Sequence, residues 1–210
     1  TTFRFWTPST SSVKYSQLLT GTTTSNALKL VVELGMGDGR HLRALSKDER
    51  NNNIHFVGIE NDRSLYIEAA TLINTNNVVL INDSFENRIR DFKNGTIDKV
   101  IMILPDPEYI DRLYSDDWVA VYTDIFLKLK KLGTLEIVTE IIDELLQPVS
   151  ETAFHTWAKW LLETFIKLGF EVEEILNEAP CNYSSTCLDR FRKDPERIRI
   201  ITLRLFKPLT

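Results

Sequence analysis

Three glycines stand at alternate positions where an apolar stretch gives way to a helical pattern. The stretch 28–34 is followed by Gly35, Gly37 and Gly39, and a helix is predicted near 38–47. Glycine allows a sharp backbone turn and lets a ligand approach where a Cβ would stand in the way. A helix N-terminus offers unpaired N–H groups and a positive dipole end, which suit a carboxylate or a phosphate. This spacing therefore indicates either an ordinary strand-to-helix turn or a turn that binds an anionic part of a ligand.

Polar residues also close the next two apolar stretches. Glu60 ends the predicted strand 54–60, and Asn82 and Asp83 end the predicted strand 77–82. An acidic residue at the end of the second strand, about 20 residues beyond a glycine turn, can accept hydrogen bonds from ribose hydroxyls. Because the carboxyl ends of parallel strands meet at the ligand crevice, three such ends together favour a bound nucleoside. A dinucleotide is disfavoured, since the third glycine comes one residue too early for that motif.

A fourth predicted strand, 99–104, ends in a carboxylate between two prolines. Proline fixes its own φ and pushes the preceding residue to an extended conformation, so Pro105 and Pro107 hold Asp106 in a stiff turn. The simpler interpretation is a strand terminator. Since three other strand ends point to the same crevice, we expect Asp106 to lie in the site.

Strands and helices alternate along the chain, and near-continuous apolar strands with intervening helices are typical of an α/β protein with a parallel sheet covered on both faces. We expect an amphipathic helix through 118–129, which Gly133 ends after three lysines, and a second one over 150–168. A long connection, 177–197, separates the last two strands, and it carries several cations. Residues 1–27 form a predicted N-terminal arm, and 28–210 form the predicted domain.

Composition sets broad limits on the function. The chain has 210 residues and a formal net charge of −5, which counts mildly against a nucleic-acid partner. The two cysteines, Cys181 and Cys187, fit no common zinc spacing, and we expect no metal. No stretch has the apolar length of a membrane span, and no basic-then-apolar signal peptide is visible. We therefore expect a cytoplasmic protein without membrane contact.

The motifs and their order resemble the tRNA (guanine-N7-)-methyltransferases of the Rossmann-like, S-adenosylmethionine (SAM)-dependent type. The resemblance extends over about 28–206 and rests on the glycine motif 33–39, the Gly-Ile-Glu of 58–60, Asp83, the Leu-Pro-Asp-Pro of 104–107, Thr139-Glu140 and the Thr-x-x-Asp of 186–189. It implies a seven-stranded, mostly parallel sheet with helices on both faces and an antiparallel last strand. It also implies SAM as cofactor and guanine N7 of tRNA as the methylated atom.

Combined with the strand ends, this resemblance gives a set of candidate site residues. The predicted catalytic residues are Asp106, Thr186 and Asp189. The predicted cofactor-binding residues are Glu33, Gly35, Gly37, Gly39, Glu60, Asn82 and Asp83. The predicted substrate-binding residues are Thr139, Glu140 and Arg190. Either Tyr109 or Tyr183 is predicted to stack on the base.

The chain departs from the family's pattern after the Pro-Asp-Pro motif. The family has a dense basic run there, whereas 108–117 is acidic in this chain. Contact with tRNA is therefore expected through the arm and the cations Arg190, Arg192, Lys193, Arg197 and Arg199, or with the help of a protein partner subunit. Two alternatives remain open: a SAM-dependent methyltransferase of a small molecule, and a SAM-binding subunit without catalysis.

Overall fold

The computed structural model describes residues 28–112, 115–143 and 145–209. The predicted N-terminal arm, 1–27, lies outside the described residues. Within these ranges, none of the helices combines the length and apolar character needed to cross a bilayer.

Seven strands and six helices alternate along the described chain. The strands are β1 (Lys29–Leu34), β2 (Ile54–Glu60), β3 (Val78–Asn82), β4 (Ile97–Ile103), β5 (Leu129–Ile142), β6 (Glu171–Leu176) and β7 (Ile198–Phe206). The helices are α1 (Arg40–Lys47), α2 (Arg63–Leu72), α3 (Phe85–Asp91), α4 (Ser115–Lys128), α5 (Glu151–Lys167) and α6 (Thr186–Phe191), with short 3-10 turns at Glu49–Asn51 and Pro107–Tyr109.

The strands form one sheet in the order β3-β2-β1-β4-β5-β7-β6. Neighbouring strands from β3 to β5 are parallel, and β7 runs antiparallel to both β5 and β6. This arrangement confirms the predicted seven-stranded sheet and its antiparallel last strand. The strand order reverses between β1 and β4, which is where open α/β sheets leave a crevice at the carboxyl ends of their strands. The glycine turn leaves β1 at that point.

Apolar cores cover both faces of the sheet. One core packs α4 and α5 against the sheet through large rings such as Trp118, Tyr122 and Phe165. The other packs α1, α2 and α6 against the opposite face, with Leu42, Ala69 and Leu188 fully buried. Helices on both faces explain why the strands read as near-continuous apolar stretches.

The predicted role of Gly133 is wrong. Helix α4 ends at Lys128, β5 begins at once with Leu129, and Gly133 lies inside that strand. A Cβ at Gly133 would stand 2.9 Å from the carbonyl oxygen of Lys130, and the β4–β5 register shifts between Ile97 and Lys99. Glycine is needed here for close backbone approach at a bulge rather than for ending a helix.

The long connection between the last two strands also contains an element that was not predicted. Helix α6 begins inside it, with Ser185 as its N-cap, whose hydroxyl accepts from the N–H of Leu188. Its six residues are too few for a helical pattern to stand out in the sequence.

Candidate functional site

The glycine turn joins β1 to α1 with a backbone that only glycine adopts easily. Gly35, Gly37 and Gly39 have φ values of 67°, 56° and 74°. A Cβ added at Gly35 or Gly37 would meet no atom within 4 Å, whereas one at Gly39 would stand 2.7 Å from the Cβ of Ala69 in α2. The first two glycines therefore leave open space above the turn. Gly39 was also predicted to bind cofactor, but its close packing against α2 explains why this position has no side chain.

Glu60 ends β2 and braces this turn. Its Oε2 accepts from the N–H of Gly37 at 2.9 Å, and its Oε1 accepts from the N–H of Asp62 at 2.8 Å. The residue is 9% exposed. A carboxylate has about four lone-pair directions, so each oxygen keeps capacity for a further donor. Glu60 thus combines a structural contact with room for the predicted ribose hydroxyls.

The end of β3 lies beside Glu60. The Asn82 amide donates to the carbonyl oxygens of Glu60 and Asn61, and it ties the two strand ends together. Asp83 accepts from the N–H of Ser84, and its carboxylate pairs with Arg88. The Ser84 N–H, followed by Arg88, holds the pKa of Asp83 below its usual value. Asn82 and Asp83, both predicted to bind cofactor, are therefore held at the ends of β2 and β3 by intramolecular contacts.

Glu33 lies in β1 just before the turn, and its environment is unusual for a carboxylate. It is 1% exposed, and its Oε1 lies 3.2 Å from Nδ1 of His41, which is equally buried. Among the described residues, its Oε2 has no hydrogen-bond partner. The Tyr183 ring packs against the His41 ring at 4.1 Å, and its hydroxyl donates to Glu136 at 2.5 Å. Tyr183 is thus a core residue, and the prediction that it stacks on a base is wrong.

Asp38, inside the glycine motif, holds α6 on the turn. Its Oδ2 accepts from both the N–H and the hydroxyl of Thr186, at 2.9 and 2.7 Å. Arg40 extends this contact, since its guanidinium lies 3.4 Å from Asp38 and from Asp189. The structure therefore brings the predicted late motif directly onto the predicted cofactor turn.

These contacts change the roles expected of the late motif. The Thr186 hydroxyl is committed to Asp38, and the Asp189 carboxylate lies 3.6 Å from Arg192 as well as beside Arg40. Two of the three predicted catalytic residues, Thr186 and Asp189, therefore anchor α6. The sequence analysis missed Asp38, although a carboxylate at the start of a helix is a recognisable signal.

The end of β4 carries strained backbone. Leu104 has a φ of 52°, and its N–H donates to the carbonyl oxygen of Val138 at 2.7 Å. Left-handed φ values in residues other than glycine cluster at functional sites. The turn places Asp106 in an exposed position. In the 3-10 turn that follows, the Tyr109 hydroxyl donates to Glu86 and the Tyr109 ring packs on Phe85. Tyr109, which was predicted to stack on a base, therefore has intramolecular contacts through both its hydroxyl and its ring.

The end of β5 holds a carboxyl that is poorly solvated. Burial raises the pKa of Glu140 to about 7, and the nearby Asp106 carboxylate adds to that shift. Its Oε2 is buried without a partner among the described residues. Thr139, predicted to bind substrate, is fully buried on the other side of the strand, so its hydroxyl is not accessible to a substrate.

Cys187 and Arg190 of α6 complete this part of the crevice. Partial burial raises the pKa of the Cys187 thiol, Glu140 and Asp106 raise it further, and Arg190 lowers it. The charges of Asp106, Glu140 and Arg190 thus all act on this exposed thiol. A predicted catalytic residue and two predicted substrate-binding residues therefore lie within electrostatic range of one side chain of α6.

Most of the other cations predicted to hold phosphates have intramolecular partners. Arg192 donates to the carbonyl oxygens of Tyr183, Ala179 and Pro180. Arg199 pairs with Glu151 and lies over the Phe154 ring, and Arg197 pairs with Asp194. Arg192 therefore stabilises the connection before α6. Arg190 and Lys193, which are both exposed, remain the candidates for phosphate contact.

A cavity of about 640 Å³ lies elsewhere on the sheet, between β4, β5, β6 and the end of α1. Most of its charged lining is internally paired, through Lys99, Glu136, Glu174 and Arg204. Burial alone would raise the pKa of Glu136, but Lys99, Tyr183 and Arg204 lower it below its usual value. Tyr183 lines this cavity, and none of the other predicted site residues does. Among the described residues, no group of three or more potential ligand side chains is placed to hold a metal ion.

Comparisons with known proteins agree with this arrangement. A curated tRNA (guanine-N(7)-)-methyltransferase from Mycoplasma genitalium is 29% identical over 122 residues, which are 53% of this chain and 56% of that protein. The chain thus matches about half the length of that relative. The solved 16S rRNA methyltransferase KamB superimposes with a TM-score of 0.67 at 13% identity, with 94% of each chain covered.

A second solved structure shares the fold. A variant of the 16S rRNA (adenine(1408)-N(1))-methyltransferase from Catenulisporales acidiphilia has a TM-score of 0.63 at 16% identity, covering 93% of this chain and 91% of that one. A family model described as "Putative methyltransferase" matches residues 27–161, from the start of β1 into α5. Because this match covers more than half of the residues, the chain belongs to that methyltransferase family, as its motifs predicted.

Proposed function

We propose that this chain transfers a methyl group from SAM to N7 of a guanine in tRNA. The observation that carries the proposal is the open space above Gly35 and Gly37, next to which the Glu60 carboxylate accepts a hydrogen bond from the N–H of Gly37. The family membership supports methyl transfer, and the Mycoplasma relative supports tRNA as the substrate.

The residues around the turn fit SAM chemically. Backbone N–H groups at the start of α1 suit a carboxylate, Glu60 keeps acceptor capacity for ribose hydroxyls, and Glu33 has a free carboxylate oxygen. When bound, SAM supplies an electrophilic methyl group on a positively charged sulfur. The chain's own contribution is to hold the cofactor and the accepting atom in line.

The crevice at the ends of β4 and β5 fits a guanine base. Guanine N7 is an acceptor that carries no proton, so no general base has to remove one. Guanine's N1–H and exocyclic amino group need acceptors. The carboxyl groups of Asp106 and Glu140, close enough for Asp106 to raise the pKa of Glu140, offer them. Arg190, whose charge acts on the same Cys187 thiol as Asp106 and Glu140, suits a phosphate of the same nucleotide. A base in a stem would have to leave its stack to enter this crevice.

A small-molecule substrate is the second candidate, and two observations favour it. Glu108 is exposed beside Asp106, so it would repel a phosphate backbone. Arg192 and Arg199 are engaged within the chain, which leaves fewer cations for phosphates than the sequence suggests.

Two measurements test the proposal. Calorimetry should show SAM binding to the wild-type chain, and Glu60→Ala should weaken it by roughly 1.5–3 kcal/mol, the value of hydrogen bonds to a charged group. Incubation of the chain with SAM and total tRNA, followed by mass analysis of the nucleosides, should then reveal 7-methylguanosine.

Each outcome separates the candidates. SAM binding without any methylated tRNA nucleoside would contradict the tRNA proposal and leave the small-molecule candidate. Absence of SAM binding in the wild-type chain would contradict methyl transfer itself. Glu49→Gln, an exposed carboxyl on the 3-10 turn after α1, serves as the control that should leave SAM affinity unchanged.

A further inference from the structure

Glu33 is a buried carboxylate with only half of its hydrogen-bonding capacity in use. Its Oε1 lies 3.2 Å from His41 Nδ1, and its Oε2 has no partner among the described residues. Buried carboxylates in proteins are normally hydrogen-bonded or paired with cations, because losing water without compensation costs free energy. The free oxygen therefore suits a donor that reaches it from outside the chain.

His41 fixes the direction of this carboxylate. It is the second residue of α1 and is 1% exposed. The Tyr183 ring, 4.1 Å away, packs against one side of the imidazole, and Tyr183 is in turn held by its hydrogen bond to Glu136. A carboxylate can only accept, so Nδ1 is the donor in the His41–Glu33 contact. The imidazole is thus held in one orientation, and it occupies one carboxylate oxygen while leaving the other free.

The surroundings favour a cationic group at that free oxygen. Glu33 lies two residues before the turn whose glycines leave open space. Backbone N–H groups at the start of α1 attract an anion, while the Glu33 carboxylate attracts a cation. An amino acid group, with a carboxylate and an ammonium on one carbon, matches both charges at once.

We propose that His41 is a positioning residue that aims the free oxygen of Glu33 at the α-ammonium group of the methionine part of SAM. The inference rests on the function proposed above and adds a residue that was not predicted from the sequence. His41 acts through Glu33 and does not itself contact the transferred methyl group.

The test compares two ligands that differ in the amino acid part. S-adenosylhomocysteine has the α-ammonium and the carboxylate, whereas 5′-deoxy-5′-methylthioadenosine lacks both. Calorimetry with His41→Leu should show about tenfold weaker binding of S-adenosylhomocysteine, the order expected for one charge-assisted contact. Binding of methylthioadenosine should stay within about twofold of the wild-type value, because none of its groups would reach Glu33.

Two conservative variants provide a matched pair. Asparagine can place its amide nitrogen near the position of Nδ1, whereas glutamine reaches toward the position of Nε2. His41→Asn should therefore keep most of the preference for S-adenosylhomocysteine, and His41→Gln should lose it. Ser46→Ala, at the other end of α1, where the hydroxyl donates only to the carbonyl oxygen of Arg43, should leave the preference unchanged.

The outcomes separate this inference from the proposed function. If His41→Leu loses affinity equally for both ligands, or for neither, the positioning role is overturned. Binding of S-adenosylhomocysteine by the wild-type chain would in that case still support the proposed cofactor. If His41→Leu does not fold, the Asn–Gln pair decides: identical ligand preference in the two variants overturns the inference. Lack of binding of either ligand by the wild-type chain would contradict the proposed function instead.

Discussion

Two groups of carboxylates border the same sheet edge, and their hydrogen bonding differs. At the glycine turn, both oxygens of Glu60 and of Asp38 accept hydrogen bonds from the chain. Only Glu33, two residues before the turn, keeps an oxygen without a partner among the described residues there. At the ends of β4 and β5, the Glu140 carboxyl has a buried oxygen without a partner among the described residues, and Asp106 lies close enough to oppose its ionisation.

The difference indicates that the ends of β4 and β5, rather than the glycine turn, lower the stability of the fold. The turn is a scaffold, in which polar groups reinforce a backbone that only glycine adopts easily. The β4–β5 end combines a left-handed Leu104 with a poorly compensated carboxyl, and both features cost free energy in the absence of a ligand. Substitutions in the scaffold should therefore destabilise the fold, whereas removing charge from the other end should stabilise the fold and reduce activity.

The largest effect is expected at Gly39. Gly39→Ala adds a left-handed alanine and a Cβ that meets Ala69 at 2.7 Å, which should together lower the free energy of unfolding by about 3 kcal/mol. Gly37→Ala meets no neighbouring atom, so it should cost only about 1 kcal/mol while weakening SAM binding. Urea unfolding and calorimetry on both variants check this; equal destabilisation would contradict the division of roles within the turn.

Glu140→Gln should stabilise the protein in a pH-dependent way. The carboxyl titrates near 7 in the folded chain and near 4.5 when unfolded. Between these values the unfolded chain loses its proton first, so wild-type stability falls as the pH rises, and the loss is complete above pH 7. The glutamine variant should be about 3 kcal/mol more stable than wild type at pH 8, with most of that difference gone at pH 5.

Urea unfolding at pH 5 and pH 8 measures this effect. Glu171→Gln, an exposed carboxyl in the edge strand β6, should show no comparable pH-dependent gain. A glutamine variant that is less stable than wild type at pH 8 would mean that Glu140 is compensated in the folded chain, and the contrast between the two carboxylate groups would fail.

Asp106→Asn should remove most of the activity and leave the fold intact. The residue is exposed and its backbone is set by two prolines, so the substitution removes charge without disturbing packing. Loss of a charged acceptor for the base should reduce kcat by about 100-fold, with SAM affinity unchanged by calorimetry. Glu108→Gln, its exposed neighbour, should retain near-normal turnover; full activity of Asp106→Asn would exclude a catalytic role.

The smallest effect concerns tRNA binding. Replacing Arg190 and Lys193 together by serine should flatten the dependence of log affinity on log salt by up to about 1.8, since each neutralised duplex phosphate contributes about 0.9. Replacing Arg197 and Arg199, which are paired with Asp194 and Glu151, should change the slope less. Equal slopes for the two double variants would place the RNA contact elsewhere.

The sequence predicts best where the signal is local. Strand β1, the glycine turn and helix α1 are contiguous in the sequence. The alternation of apolar stretches with helical patterns predicted the parallel strands, whereas the seven-stranded sheet with its antiparallel last strand was implied by the family resemblance. Gly133 was misassigned because a glycine after lysines looks the same whether it ends a helix or sits in a bulge. Helix α6 was not predicted because a helix of six residues shows little periodicity in its sequence.

Long-range partners explain why the site was only partly predicted. The pattern indicates that Thr186 and Asp189 belong near the turn, but it does not reveal that Asp38 already uses the Thr186 hydroxyl. In the same way, Arg192 looks like a phosphate ligand until three carbonyl oxygens from 179–183 are seen around its guanidinium. His41 gave no signal, since a lone histidine in an amphipathic helix is usually a packing residue.

The position of β7 has a consequence for synthesis on the ribosome. β7 lies between β5 and β6 in the sheet, and β6 pairs only with β7 among the described strands. Until residues 198–206 have been made, β6 has no strand to join, and β5 presents an open, apolar edge to solvent or to other nascent chains. Exposed strand edges of this kind invite association. The nascent chain is therefore most vulnerable to aggregation just before β7 emerges, and insertion of that strand closes the sheet in one late step.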